Sequence, residues 1–303
     1  MITIIIPYYK RIFFEETLQS LAKQTDKRFK VFIGDDASPE DPTKLLEQFK
    51  GLFDFKYKKF KTNLGAKSLV QHWERCIALA VEDDKDWLLI LGDDDILGKN
   101  VIDEFYKNLD EVNELNINVI KFSTVVIDEF NKPITKVFKS AKIEKSTDAF
   151  YNKISDSARS SLSEHIFRTA VYKEKGFQNY SLAWHSDDMA WLQFTDFENI
   201  YSLNNALVSI RVSNNSISGS ESNSIEKNKA SYQFYHELIY KYFNNFSWRQ
   251  KNLILRIFET KTLLVKGKKI SSFYEISFLF LKNRYVFSFF RFTFRFLIKH
   301  KAF

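Results

Sequence analysis

The sequence predicts an α/β fold: a doubly wound, mostly parallel central sheet of Rossmann-like character, flanked by helices and followed by a helical C-terminal extension. Three observations predict it. Apolar, β-branched runs of strand length alternate with helix-periodic segments as far as Leu97, in the order β-α-β-α-β-α-β. The run Trp87-Leu88-Leu89-Ile90-Leu91 is wholly apolar, as expected of a strand covered on both faces. Two of the runs lead straight into aspartates, Asp35-Asp36 and Asp93-Asp94-Asp95, and in open α/β sheets ligands sit beyond the carboxyl ends of strands.

The elements follow in order. Ile2-Thr3-Ile4-Ile5-Ile6 is a β-branched strand that Pro7 is expected to stop. Phe14, Leu18, Leu21 and Ala22 fall at helical spacing, and Phe29 to Gly34 reads as a second strand. A short amphipathic stretch from Pro42 to Phe49 precedes a third strand between Phe53 and Phe60. Asn63-Leu64-Gly65 is a turn before a helix from about Lys67 to Val81. The acidic run from Glu82 to Asp86 precedes its strand and so reads as a solvated turn at the opposite edge. Beyond the Trp87 strand, residues 101–109 predict a helix ended near Leu115, residues 118–127 a strand, and residues 134–138 its hairpin partner.

Composition narrows the class. A chain of 303 residues holds one large α/β domain plus an appendage. Its formal charge of +7 suggests an anionic partner without identifying it. Cys76 is the single cysteine, which excludes a disulfide framework and a cysteine-based zinc site and fits a reducing, cytoplasmic setting. The five histidines show no metal-ligand spacing. No apolar run reaches the length of a spanning helix, and the Ile-rich start lacks the features of a signal peptide.

Three adjacent ionised aspartates repel one another, so a cation or a dense set of hydrogen-bond donors is expected around Asp93-Asp94-Asp95. Mg²⁺ or Mn²⁺ bridging carboxylate and substrate phosphate is the usual use of such a cluster. An Asp-rich turn that merely ends a strand would look the same on this stretch alone. If both strands are central, Asp36 can accept hydrogen bonds from a base or ribose while Asp94 holds a metal on a diphosphate. No Gly-x-Gly-x-x-Gly or Walker-type loop is present, which argues against a dehydrogenase and a P-loop NTPase.

The N-terminal half resembles the family 2 glycosyltransferases of the GT-A fold. The resemblance is carried by Ile4-Ile5-Ile6-Pro7-Tyr8-Tyr9, Ser20-Leu21-Ala22-Lys23-Gln24-Thr25, Gly34-Asp35-Asp36-Ala37-Ser38, Asn63-Leu64-Gly65 and Gly92-Asp93-Asp94-Asp95, in this order and at these intervals. It covers roughly residues 1–215 and implies a sugar transferase using a nucleotide-diphosphate sugar, a UDP-sugar by expectation, with Mn²⁺ or Mg²⁺. Position by position it implies Pro7, Tyr8 and Tyr9 lining the nucleotide, Asp36 with neighbouring Asp35 at the base, and Asp94 on the metal with Asp93 and Asp95 beside it near ribose and metal. Gly92 stands where the family usually has an acidic residue, and His72-Trp73-Glu74 where it often has Ala-Arg-Asn, leaving Lys67 as the candidate phosphate contact.

Farther along, Glu164 to Phe177 resembles the family's strand and glycine turn, and Trp184-His185-Ser186-Asp187-Asp188 matches its Glu-Asp element. Acidic residues opening a helix also simply complement its dipole. The resemblance assigns Asp188 as general base with Asp187 as neighbour, and adjacent carboxylates raise one another's proton affinity, as a base working near neutral pH requires. Arg211 is a candidate diphosphate contact ahead of a polar loop from Ser213 to Ser220. The implied reaction is an in-line displacement with inversion at the anomeric carbon.

Residues 1–224 are thus expected to form the transferase domain, 1–100 binding donor and 101–224 acceptor, with 225–303 as the helical extension. In its tail Arg284, Arg291, Arg295 and Lys299 fall on one stripe of a Phe-rich helix. That pattern predicts peripheral contact with an anionic membrane, on the inner face of the cytoplasmic membrane, or docking on a partner subunit. The acceptor would then be a glycan or lipid-linked acceptor of bacterial surface polysaccharide assembly. Two other classes use the same features: a metal-dependent nucleotidyltransferase or nucleotide-sugar hydrolase, and a basic nucleic-acid-binding protein. Acidic clusters in the crevice-forming half argue against the second, and no nucleic-acid partner is expected.

Overall fold

The computed structural model describes residues 1–80, 87–213, 219 and 223–298. It divides into two compact units, one of residues 1–179 and 186–220, the other of 180–185 and 221–303.

In the first unit a single sheet forms the core. Its strands are β1 (Ile2–Tyr8), β2 (Phe29–Asp35), β3 (Phe55–Lys59), β4 (Trp87–Ile90), β5 (Ile96–Leu97), β6 (Val119–Ile127), β7 (Ile143–Lys145), β8 (His165–Arg168) and β9 (Asn199–Arg211). They lie in the order β3-β2-β1-β4-β8-β6-β9-β5, with β7 also on β9. The helices between them are α1 (Phe14–Ala22), α2 (Thr43–Glu47), α3 (Leu69–Ile77), α4 (Val101–Glu114), α5 (Ser146–Ile154), α6 (Thr169–Lys175) and α7 (Ser186–Phe194).

The alternation through β4 is the expected one, and β1 to β4 pair in parallel. β1, β4 and β6 are buried along nearly their whole length, which is why their sequences are apolar runs without alternation. Pro7 does not end β1: the strand runs on to Tyr8, with Pro7 opposite Gly34. The reason is local. β4 leaves the ladder at Ile90, opposite Ile5, so by Pro7 only one neighbouring strand remains to be paired. Residues 134–138 return along β6 through antiparallel bridges, Ile127 with Pro133 and Thr124 with Phe138, without forming a full strand. The acidic run from Glu82 to Asp86 lies outside the described residues, as does most of the Ser213–Ser220 loop.

The second unit is helical: α8 (Ser224–Glu237), α9 (Trp248–Lys266), α10 (Ile270–Lys282) and α11 (Val286–Ile298). Ser247 and Gln250 form a reciprocal capping box at the start of α9. Among the described residues no helix is long and apolar enough to cross a membrane.

Candidate active site

Strand direction gathers the aspartates. β8 runs antiparallel to both β4 and β6, so β6 points the same way as β4, and β9 is parallel to β6. The carboxyl ends of β1, β2, β4, β6 and β9 therefore share one edge. Tyr9, Asp35, Asp36, Asp93 to Asp95 and Arg211 all sit there, at the end of one strand or another.

The three consecutive aspartates do three different things. Asp93 Oδ2 accepts the backbone N–H groups of Tyr9 and Lys10, both at 2.8 Å, and so ties this loop to the end of β1. Asp95 accepts the Ser163 hydroxyl at 2.5 Å through one oxygen and the Arg211 backbone N–H at 2.9 Å through the other. No other described residue donates a hydrogen bond to the Asp94 carboxylate, which is half-buried. Burial, then its neighbours Asp95 and Asp93, push the Asp94 carboxyl up to about 8. Asp95 is raised to about 6, chiefly by burial. A cation would relieve this crowding. Glycine at position 92 is what lets two of the carboxylates approach, because a Cβ there would stand 2.9 Å from Asp95 Oδ2 and 3.0 Å from Asp94 Oδ1.

These residues fit a divalent cation in a narrower way than three adjacent aspartates suggest. Among the described residues no three His, Cys, Asp or Glu side chains come together as a metal site. Asp93 Oδ2 and both Asp95 oxygens accept from protein donors, which leaves the Asp94 carboxylate as the candidate ligand, with Asp93 Oδ1 beside it. One carboxylate with the remaining positions filled by diphosphate and water is an ordinary arrangement for Mg²⁺ or Mn²⁺.

Arg211, the candidate diphosphate contact, supports this loop. Its buried guanidinium donates to the backbone oxygens of Asp94 and Asp128, to Asn131 and to Glu16, and lies 4.2 Å from the Phe13 ring centroid. Tyr8 is buried: its ring packs on Phe14 and its hydroxyl donates to the Glu40 carbonyl. Alternation along β1 explains this, since Tyr9 and Lys10 are exposed where the strand ends. Pro7 is half-buried beside them, and Lys67 is exposed.

At the end of β2, Asp35 accepts the Tyr57 hydroxyl and the Ser38 N–H. Asp36 accepts the N–H groups of Leu64 and Gly65 at 2.7 and 2.8 Å and forms an ion pair with Arg75, whose guanidinium lies over the Phe60 ring. The Asn63-Leu64-Gly65 turn is thus pinned to β2 by Asp36. A Cβ at Gly65 would sit 2.5 Å from Asp36 Oδ2, an oxygen held in place by these donors. Gly65→Ala is therefore expected to cost about 1–3 kcal/mol, seen as a drop of several degrees in Tm. An unchanged Tm would show that the turn is not held this way.

Asp187 and Asp188 open α7, where acidic residues are favoured by the helix dipole. Asp188 is 1% exposed and forms an ion pair with Lys153 of α5. Asp187 is half-buried. Burial and then the Asp188 charge push Asp187 up to about 7, with Lys153 opposing. Burial alone would lower the Lys153 ammonium, but Asp188 and Asp187 hold it above its ordinary value.

One loop joins the two carboxylate groups. Ser163, bonded to Asp95, also accepts the Gly92 N–H at 3.0 Å. Its neighbour Glu164 is fully buried, accepts the Ser161 N–H and hydroxyl, and faces Arg159 at 4.0 Å. Glu164 also adds to the field felt by both Asp187 and Lys153. Lys153, Ser163 and Arg75 carry no local sequence signal: each is an ordinary polar residue whose role appears only when distant elements meet.

Comparison with known proteins decides the family. Residues 3–179, more than half of the chain, match the model for glycosyl transferase family 2. The chain belongs to that family. It is a glycosyltransferase of the GT-A fold, as the sequence resemblance implied. Solved structures agree on the fold. TarS 1–349 of S. aureus in complex with UDP-GlcNAc has a TM-score of 0.66 at 15% identity, covering 92% of this chain and 81% of that one. TarS 1–349 with UDP has a TM-score of 0.62 at 16% identity, covering 86% and 71%. The mannosyltransferase PcManGT of Pyrobaculum calidifontis, in complex with GDP-Man and Mn²⁺, has a TM-score of 0.57 at 11% identity, covering 99% and 88%. No curated protein sequence matches the chain significantly.

Proposed function

We propose that this family 2 member is an inverting, metal-dependent glycosyltransferase. It moves a sugar from a nucleoside-diphosphate sugar, a UDP-sugar in the first instance, to a hydroxyl of a glycan or lipid-linked acceptor in bacterial surface polysaccharide assembly. The observation that carries the reading is the Asp94 carboxylate, to which no other described residue donates a hydrogen bond, between Asp93 and Asp95, which both accept from protein donors, at the edge where five strands end. The UDP-GlcNAc and GDP-Man complexes of structurally similar proteins support the donor class.

Asp94 would hold Mn²⁺ or Mg²⁺, which when bound neutralises the charge of a departing diphosphate. Asp93 and Asp95 fix the loop so that Asp94 is presented. Pro7 and Tyr9 flank the same edge as surfaces for the nucleotide, and Asp36 keeps the Leu64-Gly65 turn beside it. The Asp187–Asp188 pair takes the acceptor proton: Asp188, the expected base, is the buried member and pairs with Lys153, and Asp187 is its less buried neighbour. Deprotonation aids attack on the anomeric carbon from the face opposite the leaving group, and configuration inverts. An acceptor carried on lipid would bring the enzyme to the inner face of the cytoplasmic membrane as a peripheral protein.

Screening nucleotide sugars for thermal stabilisation tests this directly. A donor should raise Tm in the presence of Mn²⁺ and much less in EDTA, in proportion to its occupancy. A donor that stabilises equally in EDTA would remove the metal from the account, and no response from any UDP-, GDP- or dTDP-sugar would remove the donor.

A further inference from the structure

We infer that α10 and α11 each present an apolar stripe to the interface of an anionic lipid bilayer. The inference rests on the peripheral membrane stance proposed above and assigns it to particular residues. On α10, Ile270, Tyr274, Phe278 and Leu281 are spaced by four, four and three residues, so they share one face, and each is 47–75% exposed. On α11, Phe287, Phe290, Phe294 and Leu297 repeat the pattern at 62–74% exposure, with Ile298 alongside. The two helices meet each other through Phe273, Phe280, Phe292 and Phe296, so the hairpin already has its own aromatic core. The outward stripes are surplus to that packing. Two parallel runs of large exposed apolar side chains exceed what an isolated water-facing surface carries.

Charge selects the occupant. From residue 266 to 298 the only acidic side chain is Glu275, and it is paired with Lys266 at 2.8 Å. Lys268, Lys269, Lys282, Arg284 and Arg291 are exposed in the same stretch. Two of these cations border the apolar stripes: Lys282 Nζ is 5.6 Å from the Phe278 ring centroid and the Arg291 guanidinium 5.7 Å from that of Phe287. Rings flanked by long cationic side chains suit a bilayer surface, where the rings enter the acyl boundary and the charges reach anionic headgroups. A second copy of the same cationic face would instead meet like charge.

The basic stripe expected from the sequence is redrawn by this geometry. Arg295 does not join the outward face, because it makes a bidentate pair with Glu259 of α9. Lys299 lies outside the described residues.

Co-sedimentation of the full chain with vesicles, without any sugar nucleotide, tests the surface independently of sugar transfer. Vesicles containing phosphatidylglycerol should bind the protein about tenfold or more tightly than pure phosphatidylcholine ones, and less so at high salt. The exposed-face variant F287S/F290S/F294S should keep its circular dichroism and Tm yet remain in the supernatant. R284E/R291E should lose the preference for anionic lipid. Wild-type protein that stays in the supernatant with phosphatidylglycerol vesicles overturns the inference. So does binding that F287S/F290S/F294S leaves intact, or a wild-type dimer that this variant converts to monomer without any lipid binding.

Discussion

Asp94→Asn is expected to lower sugar transfer by about 10²–10³-fold while leaving the fold intact or slightly more stable. The two effects have one cause. Asp94 carries a carboxyl pushed up to about 8 by burial and by Asp95 and Asp93, and no other described residue donates a hydrogen bond to it. Replacing it with a neutral amide of the same shape removes like-charge crowding, so Tm should not fall. It also removes the carboxylate proposed to hold a divalent cation. Stability gained where activity is lost marks a functional site rather than a structural one. The same change at Asp93 or Asp95 should behave in the opposite sense, because each accepts two hydrogen bonds that hold the loop. Paired melting curves and transfer assays on the three Asn variants check this, and an Asp94→Asn enzyme with full turnover would contradict it.

The second large effect lies in the Asp187–Asp188 pair. Asp187→Asn and Asp188→Asn should each reduce transfer by about 10²–10⁴-fold. Asp187→Asn is the cleaner test, since Asp188→Asn also breaks the ion pair of the half-buried Lys153 ammonium. The pH profile carries the sharper prediction. Asp187 is raised to about 7. A base must be unprotonated to act, so the rate should climb as pH rises through about 7 and level off above it. Lys153 favours the ionised carboxylates. Removing its charge in Lys153→Met should therefore move the acid limb to higher pH, by about one unit or more, and Lys153→Arg should move it little. A merely structural Lys153 would lower Tm without shifting the limb.

How much of this was legible in the sequence differs from element to element. The strands at Ile2, Phe29 and Trp87 and the helices between them were readable because burial on both faces leaves long apolar runs. Pro7 misled because a residue's tolerance for a missing N–H depends on whether a neighbouring strand is still there, which only the register shows. The Asp35-Asp36, Asp93-Asp94-Asp95 and Asp187-Asp188 positions were visible as strand and helix ends. The division of labour within each cluster was not. Nothing local distinguishes Asp94 from Asp93 or Asp95: the difference comes from Tyr9, Lys10, Ser163 and Arg211, which approach from three other parts of the chain. Arg211 is a candidate diphosphate contact by the family resemblance ahead of the polar loop, and in the structure Glu16 and Asn131 meet its side chain. Lys153 was invisible because a lysine in an amphipathic helix is ordinarily solvated.

Asp94 is proposed to present a divalent cation to the diphosphate of a sugar nucleotide. Anomalous scattering from crystals grown with Mn²⁺ and a nucleoside diphosphate measures this directly. The account predicts a manganese peak within coordination distance of an Asp94 oxygen, about 2.0–2.2 Å away, with its other ligands drawn from diphosphate and water and with Asp93 and Asp95 still on their protein partners. A nucleotide bound in the crevice with no metal at Asp94, or manganese held elsewhere, would contradict it.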